Sequence, residues 1–367
     1  MSTVVIFGAG ATKACGGPMT NEILPDVYGS CREIKHKQHL ALLEKFLVEN
    51  FHVPGVRKRR QPGDYPGLPL LLSLLDTALD RKHPLRAGWA PEQLVEVRDA
   101  LEYAIFALLE LRLKKVKNNH YLRLLELLYR DAGPEVTLVS LNYDLIADNA
   151  LIRLGERTMR PGLPDYGCDI ATEAYRAAPK FGTLFKLHGS LNWLYCPGCN
   201  RLDVGVSESG RMYKVLMELF QENWHRLEDR YSFAGAECRE CGARVRPVMV
   251  TPSFLKDYRN PHISRTWYEA ERALRKADRV IFIGYSLPED DLAVTYLLKR
   301  GLSHLHGPAV TVVEFDSGGR GLRDNPVGAR YRTLFGDKLD WRTDGFGGWV
   351  DAHLAAQHSP IDGPLPR

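Results

Sequence analysis

Short, nearly continuous apolar runs alternate along this chain with longer stretches in which apolar residues recur every three or four positions. The first run, residues 3–7 (TVVIF), leads into Gly8-Ala9-Gly10-Ala11-Thr12. It predicts a strand and a glycine turn, with a helix starting near Met19 or Thr20. Residues 135–141 (EVTLVSL), 183–187, 279–284 (RVIFIG) and 309–315 (AVTVVEF) predict further strands. The second of these five is apolar almost throughout, as a strand buried on both faces should be. Residues 36–131 differ. The segments 40–47, 68–79, 91–117 and 120–129 carry helical spacing, most clearly at Leu94, Val97, Leu101, Ile105, Leu108 and Leu109. This stretch reads as a helical module inserted after the first strand unit. Helical segments at 264–276 and 290–299 lie around the last two strands. Strands separated by helices imply a parallel sheet with crossover connections.

Composition narrows the class without deciding it. The 367 residues suffice for one large α/β domain with insertions or for two smaller domains, and 44% apolar with 26% charged residues is ordinary for a globular protein. A net charge of +4 gives no strong nucleic-acid signal. The sharpest basic cluster, Arg57-Lys58-Arg59-Arg60, lies among prolines and glycines and reads as an exposed, solvated loop. The start of the chain shows no secretory signal, and no apolar run approaches the length of a membrane span. The expectation is a soluble, cytoplasmic protein without a membrane partner.

Seven cysteines include two C-x-x-C pairs, Cys196 with Cys199 and Cys238 with Cys241. Four thiolates so spaced can close a tetrahedral shell around Zn2+, leaving no position for water or substrate, which makes the site structural. The pattern fits a reducing compartment better than a disulfide framework. The intervening residues 200–237 are more than a compact zinc ribbon needs, and the aromatic run 213–224 suggests a helix carried on the module. Cys15, Cys31 and Cys168 are left as ordinary thiols.

The fold class expected is therefore α/β: a Rossmann-like parallel sheet with helices on both faces, a helical insertion and a small zinc-binding module. Its parts are residues 1–35, the insertion 36–131, the continued sheet domain 132–195, the zinc module 196–246, the completed sheet domain 247–357 and a loose tail 358–367.

In open parallel sheets ligands bind beyond the carboxyl ends of the strands, and the unusual residues stand there. Gly8 and Gly10 could let backbone approach a phosphate, although Lys13 occupies the place of the usual third glycine. Asn142-Tyr143-Asp144 leaves the second strand, where Asp144 or Asn142 could equally cap the next helix. His188-Gly189 follows the third. Gly284-Tyr285-Ser286-Leu287-Pro288 follows the fourth, with the helix-start signal Glu289-Asp290-Asp291 behind it. Glu314 ends the fifth, where a carboxylate can accept from a ribose diol or simply be solvated.

In order, these pieces resemble the sirtuin superfamily: Gly8-Ala9-Gly10-Ala11 with Gly17-Pro18, Leu141-Asn142-Tyr143-Asp144, His188-Gly189, the two cysteine pairs, Arg246-Pro247 and Gly284-Tyr285-Ser286. The match spans residues 3–316 outside the helical insertion. It is closer to bacterial sirtuin-like NAD hydrolases of antiphage defence than to protein deacylases. Deacylases carry Asp-Phe-Arg where this chain has Met19-Thr20-Asn21. They run from Arg-Pro through a strand into Phe-Gly-Glu, where this chain has Arg246-Pro247 leading to Val250-Thr251-Pro252-Ser253-Phe254-Leu255-Lys256. The NAD half of the family pattern is kept and the peptide half is not.

The resemblance implies NAD as substrate and structural zinc. The backbone of Gly8, Ala9, Gly10, Ala11 and Thr12 would cradle phosphates. Asn142 would orient the ribose or the attacking water, His188 would be the general base, and Asp144 would shape the nicotinamide pocket. Gly284, Tyr285 and Ser286 would line the adenosine side and Glu314 would meet its ribose. The expected activity is NAD glycohydrolase, giving nicotinamide and linear or cyclic ADP-ribose. The alternatives are an NAD-dependent deacylase or ADP-ribosyltransferase, and a non-catalytic NAD or ADP-ribose sensor. A cell must restrain such an enzyme, so a homo-oligomer or a separately encoded ATPase or sensor partner is expected. The chain has no Gly-Lys-Ser/Thr phosphate loop of its own.

Overall fold

A computed structural model describes residues 1–30, 33–34, 37–54, 62–113, 116, 118–131, 135–205, 237–238, 240–253 and 258–358. The basic cluster 57–60, Cys31, the aromatic run 213–224, residues 254–256 and the tail beyond 358 lie outside the described residues.

The chain opens with β1 (Thr3–Phe7), and helix α1 (Ala9–Ala14) follows at once. The alanine-rich AGATKA segment forms helix immediately after the turn, earlier than the reading near residue 19. It ends at Gly16, whose φ of +99° suits glycine. Next comes α2 (Ile23–Gly29), and then α3 (Lys37–Phe51), α4 (Leu68–Arg81), α5 (Pro91–Leu113) and α6 (His120–Asp131), the helical stretch that the periodicity predicts. Then follow β2 (Val136–Ser140), α7 (Ile146–Arg157), β3 (Leu163–Asp165), α8 (Glu173–Ala177) and β4 (Lys180–Lys186). β5 (Gly189–Tyr195), β6 (Leu202–Val204) and β7 (Arg246–Met249) form a second, three-stranded antiparallel sheet ordered β6-β5-β7. The chain closes with α9 (Pro261–Leu274), β8 (Arg279–Ile283), α10 (Leu292–Gly301), β9 (Val310–Val313), α11 (Pro326–Phe335), β10 (Asp340–Arg342) and α12 (Gly345–His358).

The main sheet has seven strands in the order β10-β9-β8-β1-β2-β4-β3, and every pairing is parallel. β1 lies at its centre. The chain passes from it to β2 on one side and later returns as β8 on the other, which opens a crevice at the strands' carboxyl ends.

Burial follows the two-residue period of the strands. Val5 and Phe7 join a core with α2 to α7 and α12, whereas Val4 and Ile6 face the opposite core with α9, α10 and α11. Both faces are covered, which is why these strands read as unbroken apolar runs. The helical insertion shares the first core, with Leu71, Leu75, Val97, Leu101 and Leu108 fully buried in it. Among the described residues no helix is long and apolar enough to cross a membrane.

Candidate functional site

The segments leaving β1, β2, β4 and β8 wall a cavity of about 430 Å³, within the range of small-molecule sites. Gly8, Ala9 and Thr12 come from the first, Asn142, Tyr143 and Asp144 from the second, His188 from the third, and Gly284, Tyr285 and Ser286 from the fourth. A further wall is apolar: Ile23, Leu68, Pro69, Ile105 and Leu109 from α2, α4 and α5, with Pro252 after β7.

Glycines bring the first and fourth segments together. A Cβ on Gly8 would lie 2.5 Å from the Tyr285 Cα, and one on Gly284, at φ +60°, would lie 2.3 Å from the Ala11 nitrogen. Gly8 N–H donates to the Ile283 carbonyl (3.0 Å), Gly10 N–H to the Gly284 carbonyl (2.8 Å), and Ala11 N–H to the Gly8 carbonyl (3.0 Å). These donors tie the two turns to the protein itself. Gly10 and Ala11 pack against Gly284 behind the residues that line the cavity.

Asn142 is buried, and its Nδ2 donates to the Gly8 carbonyl at 2.8 Å. Asp144 uses both of its carboxylate oxygens. Its Oδ1 accepts from the Ile146 backbone at the start of α7 (2.9 Å), and its Oδ2 accepts from the Thr12 hydroxyl (2.5 Å). Beneath this turn lies the wholly buried Lys186, whose Nζ donates to the Asp144 carbonyl and pairs with the equally buried Asp148 at 3.2 Å.

His188 stands where the parallel sheet gives way to the antiparallel one. Gly189, at φ +84°, makes that corner; a Cβ there would lie 2.0 Å from the Val248 carbonyl oxygen. The His188 Nδ1 lies 3.2 Å from the Leu141 carbonyl, so that nitrogen carries the proton and Nε2 is left as the acceptor. Nε2 is buried with no hydrogen-bond partner among the described residues, and it sits 3.6 Å from Asp291 Oδ1. Asp291 Oδ2 accepts from the Tyr285 hydroxyl at 2.8 Å. Burial first, and then the Asp291 carboxylate, push the Tyr285 phenol well above its ordinary pKa.

The fourth segment is fixed from behind: the Arg330 guanidinium donates to the Ser286 carbonyl at 2.8 and 2.9 Å, and the Tyr331 hydroxyl to the Tyr285 carbonyl at 2.7 Å. Glu314 ends β9, one strand further along and outside the cavity lining. Burial raises its pKa, with the Phe315 N–H and then Arg330 opposing.

Cys196, Cys199, Cys238 and Cys241 gather with all four sulfurs within 4.8 Å of one another. The pairs Cys196–Cys241 (3.4 Å) and Cys199–Cys238 (3.6 Å) approach the spacing of roughly 3.8 Å that tetrahedral Zn–S bonds of about 2.3 Å impose. The four thiols can therefore hold a structural zinc ion. The cluster ties the end of β5 to the start of β7, eight residues beyond His188, or about 25 Å of extended chain.

Sequence reasoning singles out Asn142, Asp144, His188, Gly284, Tyr285 and Ser286, and the fold brings them to one cavity. It misses Asp291, which reads as part of a helix-start signal, and it misses Ile105 and Leu109, which read as one core stripe of a helix. Their i, i+4 spacing was visible, but nothing local says that a helix stripe faces a cavity.

No family model and no curated protein sequence matches this chain. Among solved structures it is similar to a Sir2–p53 peptide–NAD+ complex, at 15% identity over 97% of this chain and 93% of that one, with a TM-score of 0.46. It is also similar to a structure on the basis of sirtuin substrate affinity, at 15% identity over 98% and 94%, with a TM-score of 0.45. A third is Sir2 with the inhibitor EX-527, 2′-O-acetyl-ADP-ribose and a deacetylated p53 peptide, at 13% identity over 97% and 94%, with a TM-score of 0.41. These structural neighbours are sirtuins.

Proposed function

We propose that this chain is an NAD glycohydrolase that cleaves the nicotinamide–ribose bond with water. One observation carries the reading: His188, whose buried Nε2 has no hydrogen-bond partner among the described residues, lines a small-molecule cavity together with Asn142 and a set of apolar side chains. The motifs at these positions, in order, resemble those of sirtuin-like NAD hydrolases, and the cavity takes its Gly8, Asn142, His188 and Gly284 from all four of the corresponding turns.

The reaction converts NAD+ and water to nicotinamide, ADP-ribose and a proton. As the C–N bond breaks, positive charge builds on the ribose. Leu68, Ile105 and Leu109 offer an apolar wall for the flat nicotinamide ring. His188 Nε2 accepts the proton of the attacking water, and the oxygen closes the bond to the sugar carbon. Asn142, held to the Gly8 carbonyl, orients the ribose or the water. Asp144 holds Thr12 and the start of α7 and so sets the shape of the pocket. Zinc bound by the four thiols would fix the β5–β7 sheet and take no part in bond cleavage. In a cell this activity calls for restraint. We assign that to assembly or to a partner protein, in the role of an NAD-depleting antiphage effector.

The test is nicotinamide release from NAD by the purified chain without acyl-peptide, over a range of protein concentrations. The expected result is nicotinamide and ADP-ribose in equal amounts, rising steeply with protein concentration. His188→Ala should lower release by about 100-fold or more. Release that requires an acyl-lysine peptide would replace this reading with deacylation. Tight NAD binding with no turnover at any concentration would replace it with a sensor.

A further inference from the structure

Asp291 occupies the N-cap position of α10, where an aspartate ordinarily accepts from the first backbone N–H groups of the helix. Its side chain makes no such bond. It is 2% exposed, turned into the cavity, with Oδ2 on the Tyr285 hydroxyl and Oδ1 3.6 Å from His188 Nε2. A carboxylate that forgoes a ready local partner and instead faces a buried imidazole nitrogen has its use there. We propose that Asp291 is the counter-charge of His188, a positioning residue that stabilises the imidazolium formed when His188 takes a proton, with Tyr285 holding the carboxylate in place. This inference rests on the glycohydrolase reading for its catalytic meaning, but the charge pairing is a property of the free protein.

The geometry divides the work. The Leu141 carbonyl fixes the proton on Nδ1, so the incoming proton must go to Nε2, the nitrogen that faces Asp291. When water attacks, its O–H bond breaks, the new N–H forms on Nε2, and the positive charge appears beside the carboxylate. At 3.6 Å the resting contact is longer than a hydrogen bond. The lone pair therefore stays available until the proton arrives. The other ionisable groups around this pair are Asp144 and Tyr143 from the turn after β2, Asp290, and Tyr258 and Tyr285. Burial holds the phenols of Tyr143, Tyr258 and Tyr285 above their ordinary range, so they stay neutral while histidine titrates. Asp144 is engaged by Thr12 and by the Ile146 backbone. Asp290 lines the same cavity, and Asp291 is the carboxylate placed 3.6 Å from the imidazole.

The test is an NMR titration of the full chain labelled with 15N-histidine, the His188 signals being assigned from His188→Gln. In Asp291→Asn, which keeps an acceptor for Tyr285, the His188 midpoint should fall by about one pH unit or more. The direction follows because loss of the negative charge disfavours the imidazolium. Asp291→Ser keeps a side chain able to cap α10 and should shift the midpoint the same way, which covers the case in which the asparagine variant folds poorly. Asp291→Glu should restore most of the wild-type value. An unchanged midpoint in both neutral variants, with wild-type melting temperature, overturns the inference. In nicotinamide release, the acid limb of the kcat profile should move to lower pH by the same interval and its plateau should fall, with little change in KM. If the wild-type chain cleaves no NAD, the glycohydrolase reading fails, and the titration still decides the pairing.

Discussion

Asp144 shows how one side chain can serve the pocket and the fold together, because each carboxylate oxygen has its own partner. Removing it leaves the α7 N–H and the buried Thr12 hydroxyl unsatisfied, a loss of about 1–3 kcal/mol. Asp144→Ala should therefore lower the midpoint of urea unfolding as well as activity. Thr12→Val should lose less stability, because the cap remains. Gly284 gives a sharper case. Its positive φ and the 2.3 Å approach of an added Cβ to Ala11 leave no room for alanine. Gly284→Ala should cost about 1–3 kcal/mol or more, through overpacking and strain, measured by the same unfolding curve. The glycines were legible as a tight approach, but the sequence could not say to what. The answer is the other glycine turn, packed across the sheet crevice. Asn142 and His188 were singled out by the order of the motifs, since alone Asn142 reads as a helix cap and a lone histidine as an ordinary core or surface residue. Asp291 was hidden because a carboxylate at a helix start has an easy local explanation, and only the three-dimensional contact with His188 removes it.

Among the elements, β1, β2, β4, β8 and β9 were read to within a few residues, since burial on both faces leaves continuous apolar runs, whereas the three-residue edge strands β3 and β10 were not read. β5 was missed. Its sequence GSLNWLY holds glycine, serine and asparagine, although it is buried at all but its last position. Asn192 is tolerated there because its amide meets the Tyr166 hydroxyl, which in turn donates to Asp148. That buried network, with Lys186 across from Asp148, pins α7 to β4 beneath the site. Lys186→Met strands the Asp148 charge in the core and should destabilise the chain by about 3–5 kcal/mol. A Lys186→Met, Asp148→Leu double variant should recover much of that loss, and a double-mutant cycle in urea would show it.

The helical insertion carries a smaller, opposite effect. Burial, and then Glu102, raise the Asp99 carboxyl to about 6, with Arg98 and Arg246 opposing. A folded pKa raised above the unfolded value near 4 means that stability is fullest below about pH 4 and declines as pH rises through 6. Asp99→Asn should therefore raise the melting temperature at pH 7.5 and change it little at pH 4.

Across the whole molecule, the cysteine cluster and the helices α4 and α5, which also line the cavity directly, meet at one short run of chain beside the site. β5 and β7 pair from the cysteine cluster back to the turn at Gly189, so a metal that clamps their far ends also sets where that turn lies. The residues after β7 are tied on every side. The Val250 N–H donates to the His188 carbonyl at 2.8 Å, and its own carbonyl accepts from the Tyr143 hydroxyl at 2.6 Å. Arg98 on α5, itself paired with Asp76 and Glu102, donates to the Thr251 hydroxyl at 3.1 Å, and Ser73 on α4 meets Ser253 at 3.2 Å. Pro252, in the middle of this run, lines the cavity. The helices α3 to α6 could be read from helical periodicity alone, yet the reach of α4 and α5 into the pocket could not, because the contacts join residues far apart in sequence.

This arrangement separates the metal's two effects by range. One core of the seven-stranded sheet contains none of the four thiols, whereas the other takes in Cys196 and Cys238 with Trp193 of β5 and Val248 of β7. Stripping the metal with a thiol-competitive chelator should therefore abolish nicotinamide release while most helical circular dichroism remains. It should also redden the fluorescence of Trp193, fully buried on β5, as water gains access. Cys199→Ser should do the same, and stoichiometric Zn2+ should reverse the chelator's effect but not the substitution's. If release survives full metal removal, the β5–β7 sheet holds its own geometry and the path from zinc to His188 plays no part in activity. If the chain instead unfolds in one step on chelation, the zinc module and the main sheet form a single cooperative unit, and the separation by range is wrong.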